Sequence, residues 1–278
     1  MSIEQTYLRV LKELSKVYDS REAAQVAEIL FEDKFGITNW KKKGTWEEEH
    51  LLEEALDRIK SGEPIQYVTE IAHFYGRKFK VNKNVLIPRP ETEELVFNVL
   101  NQVKSNHRQY DVLDIGTGSG CIPITLKKEK AALRLFAMDY CQDVINLAKI
   151  NARNLKAQIG FYKFDFLDNS FWAQMGCFDI IISNPPYIAE QERVLMTDSV
   201  LKFEPVSALF AKGEDPLIFY KKIAEFADSH LNGEGIIFLE LNQFYSHEIE
   251  QIYIRKDYKT QIIKDLQGND RILKASRS

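Results

Sequence analysis

The sequence predicts an α/β protein: a mostly parallel, doubly wound sheet with an antiparallel C-terminal edge, preceded by a small all-helical domain and a joining β-hairpin. Three observations carry this. Residues 1 to 65 show only helical spacing of apolar side chains. Strand-like runs then alternate with helical patterns, which implies a parallel sheet with helices on both faces. The chain closes on "YKTQIIKDLQGNDRILKA", two alternating runs joined by a Gly-Asn-Asp turn, the pattern of an edge hairpin.

In order, the first helices are read from Tyr7, Val10, Leu11, Leu14 and Val17, then Ala23, Val26, Ile29 and Leu30, then Leu52, Ala55, Leu56 and Ile59. "SGEP", Ser61 to Pro64, punctuates the last of them. The stripe residues are core; whether the bundle also binds a partner stays open at this level. From Gln66 the pattern changes. "HFYGRKFKVNKNVLI" alternates Phe74, Gly76, Phe79 and Val81 and turns at Asn82 to Asn84, so residues 66–88 read as a hairpin linker and residues 89–278 as the α/β domain. Its strands are "YDVLDIG", "LRLFAMD", "IGFYKFD", "FDIIIS" and "GIIFLE".

Composition bounds the function. Apolar residues make up 45% and charged residues 28% of 278, the balance of an ordinary globular protein. No apolar run approaches a membrane span, and the N-terminal "MSIEQTYLRVLKELSK" interleaves charge through any signal core, so a cytoplasmic protein is expected. Cys121, Cys141 and Cys177 lack metal-ligand spacing and read as reduced thiols. His50, His73, His107, His230 and His247 are scattered, so no metal is expected. A formal charge of −4 gives no global basic footprint for nucleic acid, and Lys41 to Lys43 reads as a solvated loop.

Two stretches carry chemistry. "VLDIGTGSG" places Gly116, Gly118 and Gly120, with Thr117 and Ser119 between them, between a strand and a helix, where glycine lets the backbone approach a ligand. Asp139, about 20 residues on, ends the next strand and can accept both hydroxyls of a ribose. These features fit a nucleoside cofactor of either kind, a dinucleotide or S-adenosyl-L-methionine. The loop favours the second: its spacing is G-x-G-x-G, and Asp114 before it would repel a pyrophosphate but suit an ammonium group.

The other stretch is "FDIIISNPPY". Pro185 and Pro186 have no N–H and stiffen the turn, so the corner offers acceptors: the Asn184 side-chain oxygen and the Pro185 carbonyl. In a doubly wound sheet this strand ends beside the glycine loop. A planar –NH2 is a poor nucleophile, and two acceptors there would hold its hydrogens and aim its remaining lone-pair density at a methyl sulfonium, with Tyr187 flat against the planar group. Catalysis would be positioning and electrostatics, without covalent intermediate or metal.

With these residues the chain resembles class I (Rossmann-like) methyltransferases of the Asn-Pro-Pro-Tyr type, which act on adenine N6, guanine N2 or protein glutamine. "PIQYV", "HFYGRKFKV", "VLIPRPETEELV", "FEPVSAL", "LEL" followed by Asn242 and Gln243, and "DLQGNDR" resemble the HemK/PrmC family, which methylates glutamine N5 in peptide chain release factors. The resemblance implies cofactor contacts at Gly116 to Gly120, Asp139 and Phe166. It implies substrate contacts at Asn184, the Pro185 carbonyl, Pro186 and Tyr187, with Arg89 and Pro90 lining the pocket; Glu91 and Glu93 stay open as pocket residues or helix caps. It also implies a helical domain that grips the release factor while its Gly-Gly-Gln loop enters, a monomer, and no direct nucleic acid or membrane partner. The family usually carries Gly where this chain has Glu70 and Pro216, which puts hairpin and loop geometry in question. The alternative, a nucleic acid amino-methyltransferase, would use the same corner but call for a basic channel. A binding protein that has lost catalysis is the third reading.

Overall fold

The computed structural model describes residues 1–103, 109–211, 213 and 215–277, so His107 and two positions of "KGED", Lys212 and Glu214, lie outside the described residues. Helices α1 (Ile3–Leu14), α2 (Ser20–Ile29) and α3 (Glu49–Lys60) form from the expected apolar stripes. Ser2 and Gln5 close a capping box on α1, and Asp19 accepts from the first amides of α2. Their stripes meet in one cluster containing Tyr7, Val10, Leu14, Leu30, Phe31, Leu52 and Leu56, each fully buried Leu contributing roughly 2 kcal/mol. Val17 departs from the expected stripe: α1 ends at Leu14, and Val17 is 52% exposed in the turn beyond. Lys41 to Lys43 is exposed loop, as read.

The linker differs from expectation at both ends. Residues 65–69 form a short helix, α4 (Ile65–Thr69), which Glu70 terminates in the left-handed conformation at φ 60°. The hairpin itself is β1 (Ile71–Phe74) and β2 (Arg77–Lys80), and its turn is Tyr75–Gly76, with φ 50° and 70°, not Asn82 to Asn84. With positive φ at both central positions this is the loop of a type I′ hairpin; Gly76 adopts it freely, and the Tyr75 amide donates to Glu93 Oε1 at 2.5 Å. Asn82 instead organises the exit turn, where its side chain accepts from the Asn84 amide.

The α/β part comprises α5 (Pro90–Gln102), β3 (Asp111–Ile115), α6 (Cys121–Glu129), β4 (Arg134–Asp139), α7 (Gln142–Asn154), β5 (Ile159–Lys163), β6 (Phe178–Ser183), α8 (Asp198–Phe203), α9 (Val206–Leu209), α10 (Ile218–His230), β7 (Leu231–Glu240), α11 (Ser246–Ile254), β8 (Tyr258–Lys264) and β9 (Asp270–Arg277). The seven strands run in the order β5-β4-β3-β6-β7-β9-β8, with β9 antiparallel to both its neighbours, the expected C-terminal edge. Buried cores cover both faces: Tyr220, Phe226 and Tyr253 on one, and Val96, Val99, Ile122 and Ile124 on the other. A smaller cluster seats Tyr67, Val81, Val85 and Ile87 of the linker on Val144 and Leu147 of α7. Among the described residues no helix is long and apolar enough to cross a membrane.

One register fixes the site. Ile115 of β3 pairs with Ser183 of β6, so Gly116 and Asn184 leave the sheet side by side, and the Ser183 hydroxyl donates to the Ile115 carbonyl at 2.7 Å.

Candidate active site

A cavity of about 310 Å³ opens at the carboxyl ends of β3, β4 and β6, where open α/β sheets bind ligands. Its floor is the glycine loop. The Gly116 and Thr117 amides both donate to the Met138 carbonyl, at 3.0 and 2.9 Å, which ties the loop to β4. Gly116 and Gly118 have φ of 76° and 53°, and a Cβ on either would point into open space. Gly120 serves packing instead: its Cβ would come within 3.2 Å of Ala148 on α7. Asn151 anchors the loop, its Nδ2 donating to the Ser119 carbonyl at 2.8 Å and to the Lys80 carbonyl of the hairpin at 2.9 Å.

Asp139 ends β4 at the rim, its Oδ2 accepting from the Gly118 amide at 3.3 Å and its Oδ1 from the Cys141 amide at 3.1 Å. Burial raises its pKa. Each oxygen keeps a lone pair for another donor. Asp114 lies beneath the loop, fully buried and not itself on the cavity surface. Neither of its oxygens, nor the Thr117 and Ser119 hydroxyls, has a hydrogen bond of normal geometry. Burial pushes the Asp114 carboxyl up to about 7, with Thr117 pulling in the opposite direction. A glycine cradle with room above it and unsatisfied buried oxygens below it fits a ligand that brings a cationic donor and two hydroxyls.

Phe166 lines one wall of the cavity, 4% exposed and packed on Trp172 and Phe226. Phe164 and the exposed Tyr140 share that side of the cavity. Neither was singled out from the sequence, although Tyr140 directly follows Asp139.

On the opposite side stands the Asn-Pro-Pro-Tyr corner. Asn184 and Pro186 line the cavity, whereas Pro185 is buried and Tyr187 packs partly into the core. Asn184 Nδ2 donates to Thr92 Oγ1 at 3.1 Å, and the Thr92 hydroxyl donates to Glu240 Oε2 at 2.7 Å. The Tyr187 hydroxyl donates to Glu240 Oε1 at 3.2 Å. Asn242 donates to the Tyr187 carbonyl and to Glu192, bracing the corner from the end of β7. Burial drives the Glu240 carboxyl up to about 7, and burial with Glu240 alongside raises the Tyr187 phenol.

Arg89 lines the cavity as expected, but its guanidinium is held by the buried Glu204 at 2.5 Å. Pro90 is the first residue of α5, a position suited to proline, and does not reach the cavity. Glu91 and Glu93 lie in the first turn of α5, where no side chain caps the amides; Glu93 is bound to the hairpin turn instead. The middle residue of that stretch, Thr92, is the one joined to Asn184. Thr92 and Glu240 were missed because 148 positions separate them in the chain. The available signal was an acidic residue ending an apolar strand at the ligand-binding edge.

A family model described as "Methyltransferase small domain" matches residues 94–227. The release factor glutamine methyltransferase of Bacteroides thetaiotaomicron is 42% identical to this chain over 81% of it and 80% of its own length. That of Koribacter versatilis is 34% identical over 98% of each chain. Among solved structures, a methyltransferase from Pyrococcus furiosus shares the fold, with a TM-score of 0.52 at 18% identity over 80% of this chain and 97% of its own.

Proposed function

The chain belongs to the release factor glutamine methyltransferases, and on that premise we propose that it moves a methyl group from S-adenosyl-L-methionine directly, in line, onto N5 of the glutamine in the Gly-Gly-Gln loop of release factors. The observation that supports the reading is the Ile115–Ser183 register, which brings the Gly116–Gly120 loop and Asn184 onto one cavity.

Gly116 to Gly120 would hold the methionine moiety from below, and its ammonium group would favour the ionised form of the Asp114 carboxyl beneath the loop. Asp139 would accept the ribose hydroxyls, and Phe166 would flank the adenine. When bound, the cofactor supplies an electrophilic methyl on a sulfonium. Asn184 Oδ1 and the Pro185 carbonyl would each accept one hydrogen of the substrate amide, aiming its nitrogen at that methyl. The substrate nitrogen held by Asn184 and Pro185 would take that methyl, the carbon–sulfur electron pair staying with the departing sulfur, and would give one proton to water. Tyr187 and Pro186 would support the planar group, and Arg89 would border it with its orientation set by Glu204. Pro90 fits here as the start of α5, not as a contact. Residues 1–65 would grip the body of the release factor, residues 66–88 linking them to the methyltransferase domain. We take the working unit to be a cytoplasmic monomer.

The test is transfer of a labelled methyl group, offered in parallel to a release factor, its Gly-Gly-Ala loop variant, DNA and ribosomal RNA. Label on the release factor that disappears in the loop variant is expected. Label on either nucleic acid would overturn the substrate while leaving the corner's chemistry in place.

A further inference from the structure

An asparagine side chain offers an acceptor on one side and a donor on the other. If Asn184 is to hold a substrate –NH2 it must present Oδ1 to the cavity, and turned over it would present a second –NH2 and repel its ligand. The backbone does not decide between these orientations. The neighbours do.

Thr92 Oγ1 lies 3.1 Å from Asn184 Nδ2 and 2.7 Å from Glu240 Oε2. A hydroxyl has one hydrogen, and an ionised carboxylate only accepts, so wherever Glu240 is ionised, above about pH 7, the Thr92 hydrogen goes to Glu240 and Oγ1 shows only lone pairs to Asn184. Only the –NH2 end of Asn184 satisfies them. Thr92 and Glu240 are 3% and 1% exposed, so water cannot readily replace either partner. The second Glu240 oxygen receives the Tyr187 hydroxyl, so one carboxylate orients both side chains of the corner.

We propose that Glu240, acting through Thr92, is a positioning relay that sets the polarity of the Asn184 amide and thereby makes the corner an acceptor of –NH2. The inference rests on the reading above, in which Asn184 holds the substrate amide. Neither residue exchanges a proton or a methyl group with the substrate.

The experiment compares the full-length protein with Thr92→Val, which removes the hydroxyl at nearly constant volume, and Thr92→Ser, which keeps it. kcat is measured on a release factor, and S-adenosylmethionine affinity by calorimetry. Thr92→Val is expected to lower kcat by about 10- to 100-fold, with cofactor affinity within about twofold and Thr92→Ser recovering most of the loss. A kcat for Thr92→Val within about twofold of the parent, or equal losses in Thr92→Val and Thr92→Ser, would overturn the relay. Should Thr92→Val not fold, the unmodified protein gives a second readout: the Asn184 side-chain –NH2 resonance, assigned by its loss in Asn184→Asp. Protection from solvent exchange is expected, and fast exchange would overturn the proposal. A parent protein that methylates no release factor would refute the reading of the site and the relay with it; an active parent with an unimpaired Thr92→Val would refute the relay alone.

Discussion

Asn184 and Thr92, 92 positions apart, are joined by a hydrogen bond of 3.1 Å in which the asparagine donates and the threonine accepts. The direction of that bond makes the corner at the end of β6 complementary to a primary amide. Replacing Asn184 by Ala removes the acceptor and leaves the glycine cradle intact. Turnover is therefore expected to fall by about 100-fold or more, the scale of losing one preorganised transition-state contact, with calorimetric affinity for S-adenosylmethionine nearly unchanged. An undiminished kcat would remove Asn184 from the chemistry.

Asp139 sits across the cavity from Asn184, at the place proposed for the ribose. Its two oxygens each accept one backbone amide and retain capacity for a second donor. Asp139→Ala is expected to weaken S-adenosylmethionine binding by about 10- to 100-fold, the loss of charge-assisted hydrogen bonds. Calorimetry showing unchanged affinity would move the ribose site elsewhere.

Glu240 also makes stability depend on pH. Arg271, Tyr187, Thr92 and Glu91 face it; burial outweighs the favourable pull of the first three and takes its carboxyl up from 4.5 to about 7. A folded-state pKa above the unfolded one means that the folded protein holds the extra proton between those values, so this contribution is lost as pH rises. The loss is on the order of 3 kcal/mol between pH 4.5 and 7. Urea midpoints of the parent should therefore fall more steeply over this window than those of Glu240→Gln. Identical slopes would show that Glu240 does not titrate there.

Glu70 holds a left-handed conformation at the end of α4, φ 60°. That geometry costs an L-residue roughly 1–2 kcal/mol that glycine avoids, partly offset by the entropy glycine loses on folding. Glu70→Gly should stabilise the protein by about 0.5–1 kcal/mol, read as a higher urea midpoint. A lower midpoint would mean that the Glu70 carboxylate contributes more than its backbone strain costs. Pro216, the other departure from the family pattern, sits in the turn that begins α10, where the Asp215 carbonyl accepts from the Ile218 amide and proline's fixed φ is tolerated.

The parts readable from sequence were those written locally. Apolar stripes specified α1 to α3, the glycine spacing specified the loop after β3, and the double proline marked the end of β6; the parallel order then placed the last two together. The Tyr75–Gly76 turn was misplaced because a tyrosine with positive φ carries no composition signal, and the side chain bound to it, Glu93, is 18 positions away. Pro90 was assigned to the pocket from its motif, whereas it begins α5 and does not line the cavity; the partner of the Tyr187 hydroxyl, Glu240, lies 53 positions away and could not be read from the motif. Thr92 and Glu240 meet only through the packing of α5 on β7, which no local pattern announces.

The most direct measurement is fragmentation mass spectrometry of a release factor after reaction with S-adenosylmethionine and either the parent protein or Asn184→Ala. The account predicts one methyl group, on the side-chain nitrogen of the Gly-Gly-Gln glutamine, with the parent, and none with the variant at the same enzyme concentration and time. A methyl group on any other residue, or undiminished modification of the same glutamine by Asn184→Ala, would contradict it.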